Sequence, residues 1–446
     1  MENSVQGTVA LEQDPVASQQ PRREDKSRMS ASWQGRFKSV AGFLTGALAA
    51  QGLSAITGLL LTRWLSVADY AIYTVLAILT GAMTVLTMGG VNIAFSTIVG
   101  RVWPDRQRAA EVLVACRRER HLISAVVLPF FLAIASWLLL KAGAPVWLVV
   151  ALLALLMMQW FVELKSHITD QILLFAQRAA RLQSLEAALG AARLAAVALL
   201  HVLNGVSILL VTAVAVVGAA LRVPFVQKWA KQEVPVDSAK AVEPDRKEIR
   251  SLTVRQLPVE LYYCIQSQVP LFLLAAMSAP AETASFGALG RLAQLFVPVS
   301  MLVSAFAIPR FSQTRSRVLP AFMAWSLLGL VPGLVLVAAA ALVPSLLLLL
   351  VGPNYAHLQH EVLIASLYSA TVILSMTMWR LAANRGWNRW TLLQIPVFGL
   401  WCALCPGFLD LSTLQGVLMF QFGFPLAMIS ATLADLAHAH VRGDLK

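Results

Sequence analysis

From Val318 to Leu350 the chain reads VLPAFMAWSLLGLVPGLVLVAAAALVPSLLLLL, 33 residues without a charged side chain. A helix of about 20 such residues crosses the hydrocarbon of a bilayer, and a water-soluble domain has no place to hide so long an apolar run. The pattern recurs along the chain. Twelve spans are read, near residues 39–62, 70–99, 121–140, 144–164, 184–204, 206–227, 256–277, 286–309, 318–350, 359–383, 391–410 and 412–437. The runs at 70–99 and 318–350 are long enough to tilt, kink or extend past the bilayer. The fold class expected is therefore an all-α polytopic membrane protein.

Charge supports this reading. Only 13% of residues are charged against 58% hydrophobic, and the mean hydropathy is +0.71. The formal net charge of +12 could belong to a nucleic-acid binder, but the basic residues lie between apolar runs and no separate polar domain carries them. No nucleic-acid partner is expected.

The basic residues instead orient the spans. Arg22, Arg23, Arg36 and Lys38 form one group, Arg101 to Arg120 the next, and Lys165, Arg178 and Arg181 a third. The segment Arg222 to Arg255 follows, then Arg310 to Arg317, Arg380 to Arg389, and Arg442 with Lys446. The intervening connections are short and nearly uncharged. By the positive-inside rule both termini are expected in the cytoplasm, with the chain in the bacterial inner membrane. No apolar signal region precedes the first span, and residues 1–35 are expected to be a disordered tail.

Such short outer connections exclude an external catalytic domain, so an enzyme is not expected. The largest polar insertion lies within 226–250, and residues 229–253 are read as a cytoplasmic linker between bundles at 36–228 and 254–438, before a tail at 439–446. The two bundles look like a repeat. Shifting by 216 residues lays Ala68-Asp-Tyr-Ala-Ile-Tyr73 on Ala284-Ser-Phe-Gly-Ala-Leu289 and the fourth span on the tenth. Six spans per half make the repeat parallel, with a cavity expected between the halves.

Charged residues at membrane depth are costly, about 2.5–3.5 kcal/mol on insertion scales, and therefore mark candidate sites. Arg193 and Arg291 stand well inside spans with no acidic residue at i±3 or i±4. A guanidinium stays charged and offers a fork matched to phosphate oxygens, although bonding to backbone carbonyls or snorkelling to the interface would also explain both. Gln51, Asn92, Gln266 and Gln268 are candidate cavity amides or, equally, packing contacts between helices. Glu260, near the basic end of the seventh span, suits a coupling proton, with a plain interface residue as the alternative.

Other motifs carry less. Cys402 and Cys405 are one turn apart without further ligands, and His357 with His360 lacks a metalloprotease context, so no metal is expected. Cys116, Cys264, Cys402 and Cys405 suggest no disulfide framework. No nucleotide-binding glycine loop is present, which disfavours an ATP-driven pump. Residues 105–121 and 166–183 have amphipathic spacing, either for helices lying on lipid headgroups or for extensions of adjoining spans.

Phe286-Gly-Ala-Leu-Gly-Arg-Leu, Pro309-Arg-Phe-Ser312, Arg63-Trp-Leu-Ser-Val-Ala-Asp-Tyr-Ala and Leu350-Val-Gly-Pro-Asn-Tyr355 together resemble the polysaccharide-transport branch of the multidrug/oligosaccharidyl-lipid/polysaccharide exporter superfamily, the Wzx-type flippases. The resemblance implies two six-helix lobes in a V that move a lipid-linked oligosaccharide between leaflets. It places Arg291 on the family's basic position in the eighth span, and Gly352 and Tyr355 on its Gly-x-x-Tyr connection. Ala71 departs from the usual glycine. The resemblance also implies coupling to a proton or sodium gradient, no bound cofactor, and partners among membrane lipids and glycan-synthesis membrane proteins. A small-molecule exporter on the same scaffold and a noncatalytic scaffold of a glycan-synthesis complex are the alternatives.

Overall fold

The computed structural model describes residues 23–88, 90–294, 307, 308 and 310–443. The helices are α1 (Arg23–Trp64), α2 (Val67–Met88), α3 (Val91–Val102), α4 (Arg106–Lys141), α5 (Val146–Phe175), α6 (Ala179–Val202), α7 (Ile208–Glu233) and α8 (Glu243–Met277). They continue with α9 (Pro280–Gln294), α10 (Val318–Leu342), α11 (Pro344–Val351), α12 (Gln359–Asn384), α13 (Gln394–Leu404), α14 (Leu414–Phe420) and α15 (Gly423–Arg442). The chain is an all-α, multi-pass membrane protein. Nine helical segments among the described residues are long and apolar enough to cross a bilayer. Three of the expected spans fall outside that set. The apolar part of the seventh is the short stretch Gln268–Met277, the eleventh is the broken stretch Thr391–Gly407, and the eighth lies partly outside the described residues.

The long runs break where their sequences demand it. The run at 70–99 divides into α2 and α3 at Gly90, whose φ of 78° is open to glycine at little cost. The run at 318–350 divides at Val343-Pro344, because a proline at N1 donates no amide and starts a new helix. The first amphipathic segment is a helical extension of a span, and the second is divided between the end of α5 and the start of α6 by a turn at 176–178. Asp105 starts the first by accepting the amides of Gln107 and Arg108 at 3.0 and 3.1 Å, and the helix then runs unbroken to Lys141. The tail expected at 1–35 is helical from Arg23 onward, while residues 1–22 lie outside the described residues, as do 444–446 at the other end.

We call the face bearing the start of α1 and the end of α15 the tail face, and the opposite one the short-loop face. In the first lobe α4 and α7 both pack on α5. In the second, α10 and α15 pack on α12 in the same arrangement. Adding 216 to the first residue of α5 gives 362, inside α12, and to that of α7 gives 424, inside α15. The parallel repeat is thus visible in the packing.

The lobes meet at the short-loop face. One buried apolar cluster there takes Leu61, Tyr70 and Val75 from the first lobe and Leu289, Leu348 and Tyr355 from the second. On the tail face, residues 234–252 do not hang free between the lobes. Val234 and Ile249 are buried against Phe95, Ile98 and Leu113 of α3 and α4, and Asp245 and Glu248 pair with Arg108 and Arg101 at 3.0 and 2.7 Å. The expected linker is a docked strap whose second half is already the base of α8.

Candidate functional site

A cavity of about 670 Å³ opens inside the first lobe, walled by α1, α2, α5, α6 and α7. Among the described residues, the second lobe contributes only Arg291 of α9 to the wall. The sequence predicts a cavity shared by the two halves, and most of the later part of the eighth span, residues 295–306, lies outside the described residues. At the short-loop face α2 lies on α9 so closely that a Cβ on Gly287 would overlap the Thr74 side chain.

Three of the residues singled out from the sequence meet on this wall: Gln51, Arg193 and Arg291. Arg193 is half-buried, has no ion pair among the described residues, and its Nε is buried without a hydrogen-bond partner. Arg291 is better held. Its Nε donates to the Tyr70 hydroxyl at 3.4 Å, its Nη1 donates to Gln294 Oε1 at 3.0 Å, and its guanidinium lies 5.3 Å from the centre of the Tyr73 ring. Neither arginine faces a carboxylate partner among the described residues.

The remaining candidates lie elsewhere. Asn92 is half-buried beside Met88, Arg120, His167 and Ile168, behind the main cavity. Glu260, Gln266 and Gln268 belong to α8, off the cavity wall, and Gln266 Oε1 is buried without a partner. Gln394 in the same lobe donates to the Tyr263 hydroxyl at 3.0 Å.

The structure adds residues that the sequence reading does not single out as a site. Glu163, His167, Glu186 and Arg222 line the tail-face end of the cavity. Asp170 stands directly behind, bonded to Arg222 Nη2 at 2.8 Å, while Arg222 Nε donates to Glu186. His167 pairs with Glu163 through Nε2 and has Nδ1 3.9 Å from Asp170. Gln159 donates to Glu163 Oε1 at 2.8 Å. Residues 163, 167 and 170 share one helix face at i, i+4 and i+7, a spacing present in the sequence. The expected fourth span ends at 164, yet α5 carries these charges to Phe175 because partners on α6 and α7 neutralise them.

The cavity is therefore bipolar. At 1.5 Å per residue, Arg193 lies about 13 Å and Arg291 about 17 Å from the short-loop ends of their helices, whereas Glu163 and Glu186 lie about 25 Å down. Two cations without carboxylate partners stand above a paired acidic cluster. Arg120 fixes the floor from behind, with 3% of its surface exposed and its guanidinium on the carbonyls of Thr87, Leu164 and Glu163 at 2.9, 3.3 and 3.4 Å.

No protein-family model matches the chain, and no curated protein does. Solved structures do resemble it. A multidrug resistance MATE family transporter of the MOP superfamily in an inward-facing conformation aligns with a TM-score of 0.64 at 13% identity, over 88% of this chain and 94% of that one. The lipid II flippase MurJ in an inward closed conformation aligns with a TM-score of 0.69 at 13% identity, over 89% of this chain and 87% of that one. A MATE structure in the straight conformation aligns at 0.59 with 13% identity, over 91% and 94%. The chain shares the fold of these proteins over most of its length.

Proposed function

We propose that this chain is a flippase that carries a lipid-linked oligosaccharide, joined through pyrophosphate to a polyprenyl tail, across the bacterial inner membrane. The carrying observation is the pair Arg193 and Arg291, two cations without carboxylate partners among the described residues, on the wall of one membrane-depth cavity. A pyrophosphate supplies the missing anion, and Gln51, Gln159 and Gln183 on the same wall are suited to sugar hydroxyls. The fold shared with a lipid II flippase supports the reading.

The lobes are closed at the short-loop face while the cavity extends to Gln183, about a turn from the tail-face end of α6. With both termini cytoplasmic, as the basic connections suggest, this is an inward-facing arrangement that receives substrate from the cytoplasmic leaflet. A proton or sodium gradient would drive the return of the empty carrier. In this reading Asn92, Gln266, Gln268 and Glu260 do not contact the headgroup in this state.

A second reading has a specific observation in its favour. Glu163 and Glu186 reach the cavity wall, and a cationic small molecule could be exported from there. Both acids are already paired with His167 and Arg222, which favours the anionic substrate. The deciding experiment supplies proteoliposomes with a pyrophosphate-linked glycan on one leaflet and follows its exposure on the other. Flipping by wild type that is lost in Arg193→Ala and Arg291→Ala at equal insertion supports the proposal. Efflux of cationic dyes without glycan flipping would replace it with the exporter.

A further inference from the structure

The cavity's own charges balance before any substrate enters. Arg193, Arg222 and Arg291 stand on its wall, and Glu163, Glu186 and, directly behind, Asp170 oppose them. His167 apart, three positive charges meet three negative ones. A pyrophosphate diester adds two negative charges to a site where field strength is high, and an uncompensated excess of that size is costly. Something must offset it, and the arrangement around Arg222 offers a route.

Arg222 is held by two carboxylates on two different helices, Asp170 of α5 at 2.8 Å and Glu186 of α6. Its side chain is 12% exposed, and it lines the cavity. Asp170 is 7% exposed, and its Oδ1 is buried with no hydrogen-bond partner, so this oxygen has room to carry a proton. The other charged groups around it are accounted for. His167 on α5 pairs with Glu163 and has its Nδ1 3.9 Å from Asp170, and Glu186 is the only acidic residue that α6 brings to the cluster. On α4, Arg117 donates to Thr169 at 2.9 Å, and Arg120 donates to backbone carbonyls close enough for its charge to act on Glu163 and Asp170. Among the described residues, no other charged side chain of α1, α2 or α7 lines this end of the cavity.

We infer that Arg222 is a third anion ligand of the cavity, held in reserve by Asp170 and Glu186 and transferred to the substrate's phosphates when these carboxylates take up protons. This rests on the lipid-linked glycan reading. In the step itself a proton moves from the tail-face solution onto a carboxylate oxygen, that carboxylate's charge-assisted bond to Arg222 becomes a weaker neutral one, and the guanidinium turns to the phosphate. No covalent bond changes between heavy atoms. Arg222 begins about 21 Å from the short-loop end of α7, below Arg193, so a long arginine side chain would move up the wall toward the headgroup. Substrate binding and proton uptake are then one linked equilibrium.

The test uses the full chain in detergent and a short-chain prenyl pyrophosphoryl N-acetylglucosamine, whose diester phosphates do not titrate between about pH 5.5 and about pH 8. Calorimetric titration in buffers of different ionisation enthalpy gives both affinity and protons taken up. Wild type should bind roughly tenfold more tightly at the acid end and take up about half a proton per ligand at intermediate pH. Arg222→Gln should bind at both pH values as wild type does at the alkaline end. Asp170→Asn combined with Glu186→Gln should bind at both as wild type does at the acid end, without proton uptake. Affinity of wild type independent of pH, or pH dependence retained in Arg222→Gln, overturns the inference.

Amide hydrogen exchange of unliganded protein separates this outcome from failure of the lipid-glycan reading. After correction for intrinsic rates, α6 and α7 around Glu186 and Arg222 should loosen at acid pH in wild type and at both pH values in the double variant. If the glycan lipid never binds but this loosening is seen, the substrate reading fails while the release of Arg222 stands. If the loosening is absent, Arg222 is not released by protons and the inference fails, whichever variants remain folded.

Discussion

Arg63, at the last turn of α1, reaches across the lobe boundary to the second lobe, its Nε donating to the carbonyl of Leu350 at 3.2 Å. Its Nη2 donates to Leu349, and the neighbouring Thr62 hydroxyl donates to Val351. These carbonyls belong to the last turn of α11, where a helix leaves its C=O groups without internal partners and cations are favoured. Gly352 follows with φ of 132°, and a Cβ there would stand 3.1 Å from Arg63 Cγ. The latch thus combines an exposed helix end with the residue that lets Arg63 approach it.

A latch of this kind has to open if the lobes rock about the cavity. With the native cysteines replaced, Thr62→Cys and Val351→Cys should form a disulfide under mild oxidation. Transport should stop when the bridge forms and return on reduction. Unchanged transport by the fully cross-linked protein would mean that this face stays shut throughout the cycle.

Gly287 predicts a paired effect with Thr74. Gly287→Val should prevent the close approach of α2 and α9, costing about 1–3 kcal/mol of the closed arrangement. Thr74→Gly should recover part of that loss, because it removes the Thr74 Cβ, which would stand 2.8 Å from a Cβ at 287, together with the atoms beyond it. Thermal unfolding in detergent and the yield of the 62–351 cross-link read the cycle. Additive effects of the two substitutions would show that this contact does not hold the lobes together.

The difference between the two cavity arginines separates binding from stability. Arg193 has no ion pair among the described residues and a bare Nε, so Arg193→Met removes an unsatisfied group and should leave thermal stability unchanged or slightly raised. Arg291 holds Tyr70, Tyr73 and Gln294, and Arg291→Met should lower stability by about 1–2 kcal/mol as well as abolish anion binding. Equal destabilisation by both would contradict this difference in partners.

What the sequence made legible was what local chemistry controls. Runs without charge marked the spans, the length of the two longest ones their capacity to kink though not the places, Gly90 and Pro344, and isolated arginines two of the cavity's cations. The acidic end of the cavity was less visible because Glu163, His167 and Asp170 sit where a span is expected to end. They are tolerated only because Arg222, 52 residues beyond Asp170, returns beside them. For the same reason the strap at 234–252 reads as a linker: its charges find partners on α3 and α4 more than a hundred residues earlier.

That strap supplies a further measurable consequence. Glu119 of α4 has 4% of its side chain exposed and accepts Arg246 at 2.9 Å and Arg250 at 3.3 Å from the base of α8. Arg246 also pairs with Glu243 at 2.7 Å, so the contact is a small network more than a single exposed pair, and removing its buried member leaves two cations to find water. Glu119→Gln should weaken docking by about 1–3 kcal/mol, because a neutral amide keeps one hydrogen bond but not the charge. Limited proteolysis should then cut within 234–242 faster than in wild type, with the bundles on either side intact, and high salt should speed cutting of the wild type in the same direction. If Glu119→Gln is cut no faster than wild type, the apolar contacts of Val234 and Ile249 hold the strap alone and α8 does not depend on its charges for its seat.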